Sequence, residues 1–302
     1  MQTNKAIRGY SGQKRKFGVF DTVVLAFIII GILACLLPML YIVAVSFSSK
    51  AAVSAMKVRF WPVEFTLETY QLIFSDAAMI RAMIFSILMT VLHTALAMVV
   101  TVCAAYVLNK DRLKGRHFFM TLMIITMYFS GGMIPDYINM KELQLLDTIW
   151  VLVLPGMLSV YNMIIVRSYF RSGIPPSVEE SAYMDGCSDL GILIKIIIPL
   201  SMPVLSTITL FYAVGRWNGF MDALMYINDS KLFPIQLKLY QIIYNSMSLD
   251  IMQAEGASAM TQMPPDSLKT ASVVFTTVPV LLIYPYLQKH FTAGVMLGSV
   301  KG

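Results

Sequence analysis

Uncharged apolar stretches alternate with short polar segments along most of the chain. Crossing about 30 Å of hydrocarbon takes roughly 20 helical residues. Six stretches approach or exceed this length, at residues 23–47, 82–108, 118–134, 148–166, 196–214 and 271–287. The first is about twice as long as the apolar part of a signal peptide, so we expect an uncleaved anchor. The pattern predicts an all-α integral membrane protein with six transmembrane helices.

Composition agrees with lipid as the solvent. Hydrophobic residues make up 57% of the 302 residues and charged residues only 13%, against about 45–50% and about 25% in soluble domains. The net charge is +6, yet the basic residues form no long run beyond residues 14–16, which argues against a nucleic-acid partner. The three cysteines are too scattered for a disulfide framework, and no metal site is expected.

The distribution of Lys and Arg predicts the orientation. An even number of spans places both ends on one side, and the basic side is cytoplasmic. Fourteen of the 23 Lys and Arg residues fall on one face, in residues 1–18, 109–117, 167–195 and 289–302. We therefore expect cytoplasmic termini, with a tail at 1–18, a six-helix membrane domain at 19–288 and a second tail at 289–302. A multi-pass protein of a cytoplasmic membrane fits this layout.

Prolines lie in or beside several spans, where each removes a backbone donor. The freed carbonyls need partners from neighbouring helices, polar side chains or a water-lined cavity. Ordinary helix kinks and a transport pathway both fit this pattern. The prolines concerned are Pro38, Pro155, Pro199, Pro203, Pro279 and Pro285.

The loop between the fourth and fifth spans predicts a separate cytoplasmic helix. Ser177 followed by Glu180 has the spacing of a capping box, and Pro175-Pro176 before it cannot continue a helix from the preceding span. Small residues fall together on one face of the predicted helix, while Glu179 and the helix start provide a negative rim. This face suits close approach of another protein. Its members are Val178, Ser181, Ala182, Asp185 and Gly186.

These residues resemble the EAA loop of the permease subunits of binding-protein-dependent ABC importers. The family motif is E-A-A-x3-G-x9-I-x-L-P, and Glu180 to Pro199 reproduces its spacing, with Ser181 and Ile198 as substitutions. The segment at 216–220, RWNGF, resembles the W-N-D-F element of the carbohydrate-type, maltose-like permeases, with Gly219 where Asp is usual. The segments at 264–269 and 294–302 resemble permeases for complex oligosaccharides. The resemblance implies the type I importer permease fold.

The resemblance also implies a set of partners. It predicts a heterodimer with a second permease subunit, two ABC ATPase subunits and an extracytoplasmic solute-binding protein that delivers a sugar or oligosaccharide. The chain has no Gly-Lys dipeptide and hence no P-loop. We expect no enzymatic activity and no cofactor here, with ATP and Mg bound by the partner ATPase. The end at 294–302 fits either an ATPase contact or a frayed terminus.

The coupling loop at 175–199 carries the predicted ATPase contacts. In the family a helix of this loop sits in a cleft of the ATPase and moves with it. Carried over by position, the coupling residues are Glu179, Glu180, Ala182, Asp185, Gly186 and Pro199.

The substrate pathway has fewer candidate residues than the coupling loop. Asn162, Tyr212, Trp217 and Asn218 are the main polar or aromatic residues for contacting a sugar. An interfacial aromatic belt explains Tyr212 and Trp217 equally well, and helix-to-helix hydrogen bonding is the commoner use of an amide such as Asn162. His93 is expected to be packed and hydrogen-bonded.

Two alternatives remain open. The same importer architecture also serves non-sugar solutes. A self-contained secondary transporter would show intramembrane acids or a duplicated half, and the sequence shows neither. The outer stretch at 233–247 and the small polar run at 255–259 fit contact with a binding protein, or an interfacial helix followed by a linker.

Overall fold

A computed structural model describes the backbone of residues 18–254 and 266–298, and the side chains of 18–245 and 266–283. Residues 1–17 of the predicted tail at 1–18 lie outside these residues, as do the polar run at 255–259, Pro264 and 299–302. Every regular element that is described is helical. The helices are α1 Val19–Ser46, α2 Lys50–Ser54, α3 Glu68–Ser75, α4 Ala77–Asn109, α5 Arg116–Tyr128, α6 Met133–Glu142, α7 Trp150–Val153, α8 Val160–Gly173, α9 Pro176–Met184, α10 Asp189–Ile192, α11 Ile198–Leu200, α12 Met202–Asn218, α13 Met221–Tyr226, α14 Ile235–Ala254 and α15 Asp266–Gly298.

Three described helices are long and apolar enough to cross a membrane. They are α1, α4 and the Asp266–Ile283 part of α15, and two bent pairs raise the number to at most five. One pair is α5 with α6, bent by 115°, and the other is the Asp189–Leu200 segment with α12, bent by 86°. The six-crossing topology and the cytoplasmic termini remain predictions.

The expected continuous span at 148–166 is wrong. The chain forms the four-residue helix α7, breaks at Pro155 and Gly156, and begins α8 only at Val160. Gly156 has a φ of 76°, a left-handed conformation that few residues other than glycine adopt. The 14 residues of α8 are about 21 Å long, which is less than the roughly 30 Å of hydrocarbon.

Pro199 explains the irregular start of the fifth predicted span. Proline has no N–H and its ring displaces the carbonyl four residues earlier. The chain forms a π-helical segment at Leu193–Ile197, in which the N–H of Ile198 donates to the carbonyl of Leu193, five residues back. The bend follows at Ser201, where α11 gives way to α12.

Helix α4 is the centre of the bundle and packs against α8 and α12, while α15 packs against α12 and α1. Ala97, Thr101 and Ala105 are fully buried and follow each other at four-residue spacing along α4. Short side chains in this arrangement let helix backbones approach closely. By contrast, α1 buries only Ala44, Val45 and Ser46, so its apolar surface requires lipid or a partner chain.

Candidate coupling site and helix break

Helix α9 is separate from the helices around it, as predicted, but it begins earlier than the capping-box prediction. Its N-cap is Pro175, Pro176 occupies the first helical turn, and no side-chain capping bond forms. The capping box of Ser177 and Glu180 is therefore wrong. Proline is well suited to the first helical position because its φ is already helical and its missing N–H needs no partner there.

Gly186 ends α9. It has a φ of 78°, its N–H donates to the carbonyl of Tyr183 at 3.0 Å, and the N–H of Cys187 donates to that of Ala182 at 3.0 Å. A left-handed glycine after the last helical turn is the usual way to satisfy terminal carbonyls. A Cβ at Gly186 would meet no atom within 4 Å. The space beside this turn is therefore open to a partner.

One face of α9 turns towards the chain's own membrane domain. Ala182 is 5% exposed and belongs to the main core cluster, and Val178 packs against the same cluster. Glu179 forms an ion pair with Lys110, which follows α4. Two of the predicted ATPase contacts, Glu179 and Ala182, thus support α9 from inside the chain in this structure.

The other face of α9 is accessible. Glu180, Ser181 and Asp185 are exposed, and Met184 is 89% exposed. A carboxylate, a hydroxyl and a flexible thioether therefore share this surface. A protein that binds α9 meets these residues and the turn at Gly186. Pro199 lies farther along the chain, at the exposed start of the bend.

Two ion pairs join the turn directly after α4 to α9 and α10, and we call them the α4 clamp. The first is Lys110 with Glu179, and the second is Arg112 with Asp189. The Tyr183 hydroxyl also donates to the Asp189 carboxylate, and the Tyr106 hydroxyl donates to the Asp189 backbone carbonyl at 3.2 Å. The Lys110 ammonium lies 4.2 Å from the Tyr106 ring centroid.

The charges of the clamp are mutually stabilised. Burial lowers the pKa of Lys110, but hydrogen bonds with Glu179 and Tyr106 outweigh this effect and raise the pKa overall. Hydrogen bonds from Arg112 and Tyr183 lower the pKa of the Asp189 carboxyl. Both residues therefore keep their charge at neutral pH.

The break between α7 and α8 is closed by side chains from α4 and α12. His93 bonds through Nδ1 to the carbonyl of Val153 at 2.9 Å, and Arg216 donates from Nη1 to the carbonyl of Leu152 at 2.9 Å. The Tyr212 hydroxyl accepts the N–H of Ser159 at 3.0 Å. These backbone groups lie at helix ends and have no partner within their own helix.

A second bond fixes the orientation of Tyr212. Its hydroxyl lies 2.7 Å from Oγ1 of Thr101 on α4, in a buried position. The ring also makes an edge contact with His93, at 6.3 Å between centroids. The prediction of a packed, hydrogen-bonded His93 is confirmed.

The predicted pathway residues are divided between three places. Asn162 and Tyr212 both lie beside Ser159, whose hydroxyl accepts the Asn162 N–H at 3.3 Å. Trp217 instead lines a small apolar pocket of about 60 Å³ between α4, α12 and α15, with Thr90, Pro279 and others. Asn218 is exposed at the end of α12. The structure does not bring the four into one sugar site.

Sequence reasoning missed the clamp cations and the partners of the helix break. Lys110 and Arg112 entered only the count of basic residues, and Thr101 and Ser159 carried no motif. A charge pattern in the loop at 109–117 facing the acids of 179–189 was the available signal.

In the described part of the chain, no group of three or more His, Cys, Asp or Glu side chains is placed to hold a metal ion.

Comparison with known proteins identifies the class. Residues 117–296 match the family described as binding-protein-dependent transport system inner membrane component. The chain belongs to this family. The membership predicted from the EAA-like loop is confirmed, as are the all-helical membrane class and the location in an inner membrane.

Two relatives are similar to this chain over most of its length. The chain is 43% identical to the polygalacturonan/rhamnogalacturonan transport system permease protein YtcP of Bacillus subtilis, over 94% of this chain and 99% of the relative. It is 44% identical to Protein LplC of the same species, over 88% and 90%.

Two solved structures resemble the fold. A bacterial ABC transporter involved in the import of the acidic polysaccharide alginate has a chain with a TM-score of 0.80 and 33% identity, covering 94% of this chain and 99% of that one. A second alginate transporter chain, from a complex with a periplasmic protein bound to an alginate pentasaccharide, has a TM-score of 0.55 and 16% identity, over 89% and 93%.

Proposed function

We propose that this chain is one of two permease subunits of an ABC importer for oligosaccharides that carry carboxylate groups. The relatives named above support this substrate class, since one is named for galacturonans and another imports the acidic polysaccharide alginate. Galacturonans, like alginate, consist of sugars that bear carboxylates. ATP hydrolysis and the delivery of substrate are assigned to partner subunits.

The observation that carries the proposal is the position of α9. It is a short helix with its own N- and C-terminal ends, one face clamped to α4 and the other exposed. Through α10 and α11 it continues into α12. A displacement of α9 by an ATPase therefore acts on two central helices of the membrane domain. The ATPase contacts are assigned to Glu180, Asp185 and Gly186, and the inner support to Glu179 and Ala182.

A second permease fits the surface that this chain leaves open. Helices α5 and α6 have no buried residue within the described chain. Phe118 is 67% exposed, Ile125 47% and Phe129 76%. We expect a related subunit to cover this exposed apolar surface of α5 and α6. The two subunits together would then enclose the transport pathway.

The test of the coupling role replaces Gly186 with leucine in the assembled importer. A leucine at this φ costs roughly 1–2 kcal/mol in backbone strain and fills the space into which a partner would pack. We expect the complex to assemble but the loaded binding protein to stimulate ATP hydrolysis little or not at all. Stimulation is measured in proteoliposomes, with and without an acidic oligosaccharide on the binding protein.

Gly115→Leu is the matched control. Gly115 has a φ of 81°, and a Cβ there would make only ordinary contacts with the Phe119 ring, at 3.7 Å. The backbone strain is therefore similar, but the site lies outside α9. Full stimulation in the control and loss in Gly186→Leu support the coupling role, and equal stimulation in both variants refutes it.

A further inference from the structure

An open groove runs along the end of α4 that lies farthest from α9. It has about 1000 Å³ of empty space and is lined by the end of α3, the first three turns of α4 and Lys231. The clamp to α9 follows the last turn of α4. The groove and the coupling helix therefore lie at opposite membrane faces, and the orientation predicted from the distribution of Lys and Arg makes the groove face the outer one.

Two cations line the groove without a partner of their own. Arg81 and Lys231 are exposed, and neither side chain forms an ion pair within the described part of the chain. The nearest acids along the chain are occupied with the backbone. Asp76 accepts the N–H of Ala78 at 2.8 Å, and Asp229 accepts that of Lys231 at 2.9 Å. No acidic residue lines the groove.

Below the cations the groove is apolar. Ile84 is 54% exposed and Leu88 62%, and Phe74 at the edge is 62% exposed. From Ile80 to Leu88 the helix advances by about 12 Å, close to the roughly 15 Å depth of hydrocarbon in one leaflet. A pair of cations above an apolar channel of this length matches a phospholipid with an anionic headgroup.

The two cations could pair with the carboxylates of an acidic oligosaccharide, but the rest of the groove offers its sugar rings little. Besides the two cations its one polar side chain is Ser75, whose hydroxyl already donates to the carbonyl of Leu72 at 2.9 Å. Sugar hydroxyls in this channel would lose water without gaining hydrogen bonds. We infer that the groove formed by Arg81, Lys231, Ile84 and Leu88 binds an anionic phospholipid of the outer leaflet. This site is separate from the proposed sugar pathway.

The test titrates the purified importer with phosphatidylglycerol and counts bound lipids by native mass spectrometry. The variant Arg81→Gln with Lys231→Gln removes both cations. Each basic residue near a membrane surface contributes about 1 kcal/mol to binding an anionic lipid, so we expect roughly thirtyfold weaker binding at this site. Phosphatidylcholine binding is expected to remain unchanged, and inorganic phosphate is not expected to compete.

The control is Lys57→Gln with Arg59→Gln, two exposed basic residues of the loop before α3 that do not line the groove. Equal phosphatidylglycerol affinity in the two double variants would contradict the proposed lipid site. So would competition by inorganic phosphate, which would indicate a simple anion site. A photo-crosslink to the second permease from a photoreactive maleimide attached to Ile84→Cys overturns it as well, since a protein would then cover the groove. If Arg81→Gln with Lys231→Gln reduces oligosaccharide uptake but leaves lipid affinity intact, the groove is part of the substrate pathway and not a lipid site.

Discussion

At the scale of single residues, Tyr212 shows how one hydroxyl supports a broken membrane helix. It bonds Thr101 at 2.7 Å and accepts the N–H of Ser159 at 3.0 Å. A buried backbone N–H without a partner is costly because neither lipid nor the packed interior replaces water. Tyr212, a candidate sugar contact in the sequence, thus supports the helix break in this structure.

Replacing Tyr212 with phenylalanine removes only this hydroxyl. We expect the loss to lower the free energy of unfolding by about 1–3 kcal/mol, because the Ser159 N–H then lacks its acceptor. Thermal unfolding of the purified importer measures the effect.

Tyr161→Phe is the matched control for this change. Tyr161 lies in α8, its side chain is 59% exposed, and its hydroxyl has no hydrogen bond within the described residues. An equal loss of stability in both variants would contradict the role of Tyr212.

At the scale of elements, the α4 clamp decides whether motion of α9 reaches the membrane domain. The Lys110 and Glu179 side chains are 12% and 20% exposed, against 61% and 47% for Arg112 and Asp189. Exposed ion pairs contribute little because water and salt screen them. The Lys110 pair is consequently the stronger link.

Glu179→Gln is expected to weaken this link. Loss of a half-buried, charge-assisted hydrogen bond costs about 1.5–3 kcal/mol, and we expect ATP hydrolysis to become partly independent of the loaded binding protein. The ratio of transport to ATP hydrolysis in proteoliposomes measures this uncoupling.

Arg112→Gln serves as the comparison, with an expected effect several-fold smaller. The exchanged pair Lys110→Glu with Glu179→Lys should recover part of the coupling. A normal ratio in Glu179→Gln would show that the clamp does not transmit motion.

The sequence predicted some elements well and missed others for identifiable reasons. Motif spacing located α9, since a short helix depends on neighbouring residues, but it placed Gly186 on the face of the helix, whereas Gly186 follows the helix end. The start of α9 was misplaced because Pro176 competes with Ser177 for the role of starting the helix. The broken span at 148–166 looked continuous because hydropathy does not register Pro155 and Gly156 as interruptions.

The contacts that hold the break together were beyond sequence reasoning. His93, Tyr212 and Arg216 are each more than 50 residues from the backbone groups that they bond. A single sequence carries no signal for such pairings. The type of residue was informative all the same, since a histidine or arginine among apolar residues needs a polar partner.

At the scale of the whole molecule, the chain has two functional ends joined by α4. The clamp and α9 lie at one end, and the loop with Trp61, which is 82% exposed, lies at the other. The orientation predicted from Lys and Arg places α9 in the cytoplasm.

Single cysteines test this orientation in a variant whose natural cysteines are replaced. We expect Met184→Cys to react with a membrane-impermeant thiol reagent only after the membrane is opened and the ATPase is stripped from α9, because the predicted orientation places Met184 in the cytoplasm. Trp61→Cys should react in intact cells. Labelling is read from a mass shift on gels, and the reverse pattern would invert the topology.

The buried seam of Ala97, Thr101 and Ala105 has a mechanical consequence. Thr101 is nine residues from Lys110 and twenty from Arg81, or about 14 Å and about 30 Å along α4. A rigid rod that turns at this seam moves its far end roughly twice as far as its near end. In the proposed importer, a small displacement of α9 by the ATPase would therefore become a larger displacement at the opposite end of α4, which the predicted orientation places at the outer membrane face.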